Sequence, residues 1–134
     1  MRWKGQSSLE FLAMVSLSAL LLAALYGVMA SKQSQAFTYQ NRQTAEKVAE
    51  MVSFQVEMAL VQGEGYSRVF SVPERIGGEH YTVQLINGSS YLRWGNESVI
   101  QTSRYYGKEL NISTSDTNVY RVVNHGDEVV INGQ

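Results

Sequence analysis

Apolar positions follow three successive patterns along this chain. From Phe11 to Ala30 the run FLAMVSLSALLLAALYGVMA contains no charged residue. As a helix rising about 1.5 Å per residue it spans roughly 30 Å, the thickness of a bilayer's hydrocarbon core. From Ser31 to Gln62 polar residues are interspersed, no Gly or Pro interrupts, and Ala, Gln, Glu, Lys and Met favour continued helix. Within this stretch Ala45, Val48, Ala49, Val52, Val56, Ala59 and Leu60 recur at three- and four-residue steps. They predict one buried stripe, with Glu46, Lys47, Glu50 and Glu57 facing elsewhere. Gly63-Glu64-Gly65 supplies the stop, because glycine tolerates the left-handed conformation that ends helices.

Beyond Tyr66 the period falls to two. Short alternating segments at 68–72, 80–86, 89–94, 98–103, 109–113, 119–124 and 128–132, separated by turn residues, read as strands of an antiparallel meander. Asn87-Gly88 is a two-residue hairpin signal and sets a register pairing Ile86 with Ser89, Val83 with Leu92 and Tyr81 with Trp94. Those apolar pairs share one face, and Thr82 with Arg93 and Gln84 with Tyr91 share the other. A second hairpin is predicted around His125-Gly126-Asp127, and Pro73 marks a strand end. The expected fold class is α+β: a long N-terminal helix over 6–62, apolar over 11–30, and a small antiparallel β domain over 66–134.

Composition narrows the function classes. The net charge of -1 is spread without a basic stripe, so no nucleic-acid partner is expected. The absence of cysteine excludes disulfides, thiolate metal sites and a thiol nucleophile. Asn124-His125-Gly126-Asp127 has the residue types of a tight turn rather than of a metal site. His80 beside Glu79 faces no nucleophile at an informative spacing, and no serine-hydrolase, zinc-protease, phosphate-loop or calcium-loop pattern occurs. No enzyme, cofactor or metal is expected. The sequons at Asn87, Asn96 and Asn111 are candidate N-glycosylation sites of an exported surface.

The apolar run has a distinctive approach. Arg2 and Lys4 precede it and Lys32 follows, so the positive-inside bias keeps the N-terminus in the cytoplasm and sends residues 33 onward outside. A cleaved secretory signal would end at Val28-Met29-Ala30, but its apolar region of about 7–15 residues should directly follow the basic segment. Here Gln6-Ser7-Ser8 and the acidic Glu10 intervene. A carboxylate at the margin of an apolar segment is a functional candidate. A local role is also open to it, in the first helical turn with Ser7 or Ser8 as N-cap.

Lys4-Gly5-Gln6-Ser7-Ser8-Leu9-Glu10-Phe11-Leu12 resembles the processing motif of archaeal type IV pilin precursors with a class III signal peptide. The resemblance implies cleavage between Gly5 and Gln6 by a prepilin-type peptidase that reads Lys4, Gly5, Gln6, Ser8, Glu10 and Phe11, removes residues 1–5 and leaves the helix in place. Loss of Arg2 and Lys4 would shift the charge from 11 − 12 = -1 to 9 − 12 = -3. The resemblance further implies a homo-oligomeric helical filament assembled from the membrane by an ATPase and a membrane platform. Phe11, Leu12, Val15, Ala19, Leu22, Ala23 and Gly27 would pack in its core, the smaller of them letting backbones approach closely. The implied location is a cell-surface pilus, with the precursor in the cytoplasmic membrane. The alternative is a membrane-anchored, pilin-like accessory or surface-binding protein that shares the leader.

Overall fold

The computed structural model describes residues 3–134, with side chains from Gly5 onward. Helix α1 runs over Trp3–Gln62, passing through Gly27 without a break. Seven strands follow: β1 (Ser67–Ser71), β2 (Tyr81–Ile86), β3 (Ser89–Trp94), β4 (Glu97–Thr102), β5 (Leu110–Ser113), β6 (Val119–Asn124) and β7 (Val129–Gly133). The chain is thus α+β, and each strand lies within two residues of its predicted place. It divides into two units, residues 1–38 and residues 39–134.

The described residues of the first unit are all helix, and every described side chain in it is exposed. The second unit holds the end of α1 and all seven strands. Its helix ends as predicted: Gly63 adopts φ +84°, and its N–H donates to Ala59 O at 3.3 Å.

The β2–β3 hairpin has the predicted register, from Tyr81 opposite Trp94 to Ile86 opposite Ser89. Both turn residues have positive φ, 48° at Asn87 and 78° at Gly88, matching the right-handed twist of the flanking strands. The β6–β7 hairpin also forms, closed by the His125 N–H donating to Glu128 O at 2.9 Å.

The expected meander is corrected. Strands β2, β3 and β4 follow it, but β5 returns to the far side of β2 and β1 pairs with β6. The result is a four-stranded sheet in the order β4-β3-β2-β5 and a three-stranded sheet in the order β1-β6-β7, with β5 alongside β7. Alternation determines which face of a strand is buried but not which strand lies beside it.

The core forms between the helix stripe and the inner faces of both sheets. Ala45, Val48, Ala49, Val52, Val56 and Ala59 meet Val83, Leu85, Leu92, Ile112 and Val122, all buried. Leu60 departs from the expected stripe and is 43% exposed. It lies in the last helical turn and lines a surface hollow with Tyr106, Lys108 and the ends of β6 and β7 at Asn124 and Val129.

Buried tyrosines clasp three loops. The Tyr81 hydroxyl donates to Pro73 O at 2.6 Å, the Tyr105 hydroxyl to Lys108 O, and the Tyr120 hydroxyl lies 2.6 Å from Ser113 O and 2.8 Å from Thr117 O. Each satisfies loop carbonyls that would otherwise be costly to bury.

Candidate functional site: the apolar helix and a groove beside β4

Met1 and Arg2, and the side chains of Trp3 and Lys4, lie outside the described residues. Gly5, Gln6, Ser8 and Glu10 all lie within α1 and are exposed. This corrects the local reading of Glu10, because with the helix beginning at Trp3 neither Ser7 nor Ser8 is an N-cap and no acidic residue occupies the first turn. The Gly5–Gln6 peptide bond is helical, and a Cβ added at Gly5 would meet nothing within 4 Å.

Phe11, Leu12, Val15 and Leu22 are exposed large apolar side chains, and Ala19, Ala23 and Gly27 are exposed beside them. Leu17, Leu20, Leu21 and Leu25 are exposed too, so the apolar surface continues around the whole cylinder. A helix apolar on every side is unstable in water, where each fully exposed Leu or Phe forgoes about 1.5–3 kcal/mol of burial. None of this apolar stretch is buried, and the helix is long and apolar enough to cross a membrane.

In the second unit, Asn87 and Asn96 are exposed in the turns after β2 and β3. Asn111 lies inside β5 on the exposed face, where its side-chain amide donates to Glu109 Oε1 at 2.7 Å. Gln84 donates to the same oxygen, and these two bonds hold the Glu109 carboxyl below its ordinary pKa. Among the described residues there is no group of three His, Cys, Asp or Glu that could hold a metal. Asn124 caps its turn by accepting the Gly126 N–H at 2.7 Å.

Sequence reasoning missed a groove of about 700 Å³ in this unit, between the outer side of the helix and the end of β4. Met51 and Phe54 provide apolar surface, with Lys47, Glu50, Glu57 and Arg104 around them. Glu57 Oε1 accepts the Arg104 backbone N–H at 2.9 Å, joining the two walls. The signal available in the sequence was Phe54, a large aromatic residue off the buried stripe and 53% exposed.

Residues 8–132 match the model of a family of unknown function (DUF7266). The chain belongs to the DUF7266 family. The match covers most of α1 and all seven strands, so the DUF7266 unit includes the apolar helix as well as the β domain. It begins at Ser8, within the stretch Lys4–Leu12. No curated protein and no solved structure matches this DUF7266 chain.

Proposed function

We propose that this DUF7266 chain is the structural subunit of an archaeal type IV adhesion pilus, polymerising through α1 with the β domain facing outward. One observation carries the reading: the motif Lys4–Leu12 leads directly into an apolar helix exposed on every side. A helix of that kind needs lipid or copies of itself around it, and a retained helix is what the motif's cleavage leaves.

Lipid tails are about as apolar as leucine, so transfer from membrane to filament changes little in hydrophobic terms. Close packing through Ala19, Ala23 and Gly27, together with contacts between β domains, then supplies the preference for the filament. Cleavage also fits the helix start. Gly5 disfavours helix by about 1 kcal/mol relative to Ala, which eases opening of the first turn around the Gly5–Gln6 bond. Once residues 1–5 are gone, Glu10 stands one turn from the new terminus, where unsatisfied N–H groups and the macrodipole favour an anion. An N-terminal Gln6 that cyclises to pyroglutamate has no amine to pair with a neighbour's Glu10, and intact mass reads that directly.

The decisive experiment is N-terminal sequencing and intact mass of the protein from sheared surface fibres. A start at Gln6 in the fibre fraction supports the filament subunit. A start at Ser31 overturns it. Recovery only with membranes, starting at Gln6, favours the anchored accessory protein instead.

A further inference from the structure

Because β5 lies alongside β7, the two sheets follow one another in the row β4-β3-β2-β5-β7-β6-β1, leaving β4 and β1 as outer edges. An outer edge presents unpaired N–H and C=O groups, which proteins commonly blunt with Lys, Pro or bulges. Neither Ser67–Ser71 nor Glu97–Thr102 contains Lys or Pro.

The hydrogen-bonding phase of both edges follows from their existing ladders. Ser103 N–H donates to Gly88 O at 2.9 Å, so Gln101, Val99 and Glu97 bond to β3, while Ser98, Ile100 and Thr102 direct their backbone groups to the free side. On β1, Val72 N–H donates to Asn118 O and Asn124 N–H to Tyr66 O, both at 2.9 Å, which leaves Ser67, Val69 and Ser71 facing outward.

We propose that β1 of one copy adds antiparallel to β4 of a second copy, with Val69 opposite Ile100. This register sets Ser67, Val69 and Ser71 against Thr102, Ile100 and Ser98, so each outward backbone group meets a partner. It also matches the faces. Val69 and Ile100 are both exposed apolar side chains, 48% and 63%, while Phe70 and Val99 both point to the inner side. On that inner side Arg68, which makes no ion pair among the described residues, falls opposite Gln101 at the groove whose charges are Lys47, Glu50, Glu57 and Arg104, and Glu50 likewise makes no ion pair among the described residues. Apolar surface agrees with the backbone phase in this register, and Glu50 is the carboxylate it offers to Arg68. Since β1 and β4 are different surfaces, the contact is head-to-tail and builds an open chain rather than a closed dimer. It deepens the filament reading, which supplies the second copy.

The chain has no cysteine, so introduced pairs report alone. The full-length Val69→Cys/Ile100→Cys variant, oxidised in isolated fibres, is expected to give a ladder of covalent multimers. Neither single variant should do so, and Val69→Cys/Thr102→Cys, two residues out of register, should give about tenfold less. Fibres without a ladder, or with equal ladders for both pairs, overturn the contact and leave the filament reading standing. If the unmodified chain forms no fibres, the filament reading fails. A matched ladder in membranes then upholds the edge contact alone, and its absence there overturns it as well. A second variant guards against damage by the cysteines: Arg68→Glu is expected to lower the ladder several-fold, and added Glu50→Lys to restore it. No loss with Arg68→Glu overturns the register.

Discussion

The side-chain amide of Asn124 donates to the main-chain oxygen of Ala59 at 2.8 Å, joining the end of β6 to the last turns of α1 across 65 residues of sequence. Asn124 is buried, and its oxygen meanwhile accepts the Gly126 N–H of the following turn. One side chain therefore ties a helix terminus and a hairpin together.

Replacing Asn124 with Ala leaves the Gly126 N–H without this partner and leaves the Ala59 oxygen with the longer bond from the Gly63 N–H. The expected loss is about 1–3 kcal/mol, read as a lower midpoint in thermal melts of the full chain in detergent. Asn124→Asp keeps the acceptor but lacks the amide donor, and is expected to recover only part of that loss.

Gly88 is constrained twice. Its φ is +78°, and a Cβ there would lie 2.7 Å from the Tyr106 ring. Gly88→Ala is expected to cost about 1–3 kcal/mol for the backbone conformation alone, with the clash in addition. Tyr106→Ala in the same chain should recover the steric part and leave the backbone part, and a double-mutant cycle on denaturant midpoints separates them.

Leu92 is fully buried in the centre of the four-stranded sheet, opposite Val83. Leu92→Ala is expected to cost about 2–5 kcal/mol through lost burial and the cavity left behind. Ile100→Ala, on the same sheet but facing outward, should change the isolated chain by less than about 0.5 kcal/mol. Melting of the two variants side by side checks the assignment of faces.

Alkaline pH should weaken the fold. Burial raises the hydroxyl pKa of Tyr81, Tyr105 and Tyr120 above the ordinary value of about 10, with nearby Tyr120, Glu128 and Asp116 respectively adding to it. Below pH 10 both the folded and unfolded chains hold these protons, and the full stability is present. Above it the unfolded chain releases them first and binds fewer, so stability falls as pH rises toward the folded values. Melting midpoints are expected to be flat from about pH 8 to 9.5 and to drop beyond 10, with a shallower drop in Tyr81→Phe.

The parts legible in the sequence were those with a local cause. Asn87-Gly88 can close only a particular turn, so the register from Ile86 opposite Ser89 to Tyr81 opposite Trp94 follows from adjacent residues. Gly63 ended the helix for the same kind of reason. Pairings set by distant neighbours were not legible: nothing in Ser67–Ser71 names Val119–Asn124 as its partner, and the return of β5 to β2 depends on how both sheets cover the helix. Leu60 fits the helical period of the stripe, yet it opens onto a surface hollow at the ends of β6 and β7 and stays 43% exposed. The apolar helix could be read from composition alone, whereas the groove needs Phe54 and Gln101 brought together from separate elements. The free edges emerged only once every other pairing was known.

The tyrosine clasps give this domain a particular chemical independence. Each runs between residues only three to eight positions apart, from a phenol to a main-chain oxygen. Loops that other domains cross-link through sulfur are held here by phenol-to-carbonyl hydrogen bonds, with no thiol to pair, reduce or mispair. A domain closed this way needs no thiol–disulfide enzyme to reach its final form, and its clasps do not depend on the thiol–disulfide balance of the surroundings.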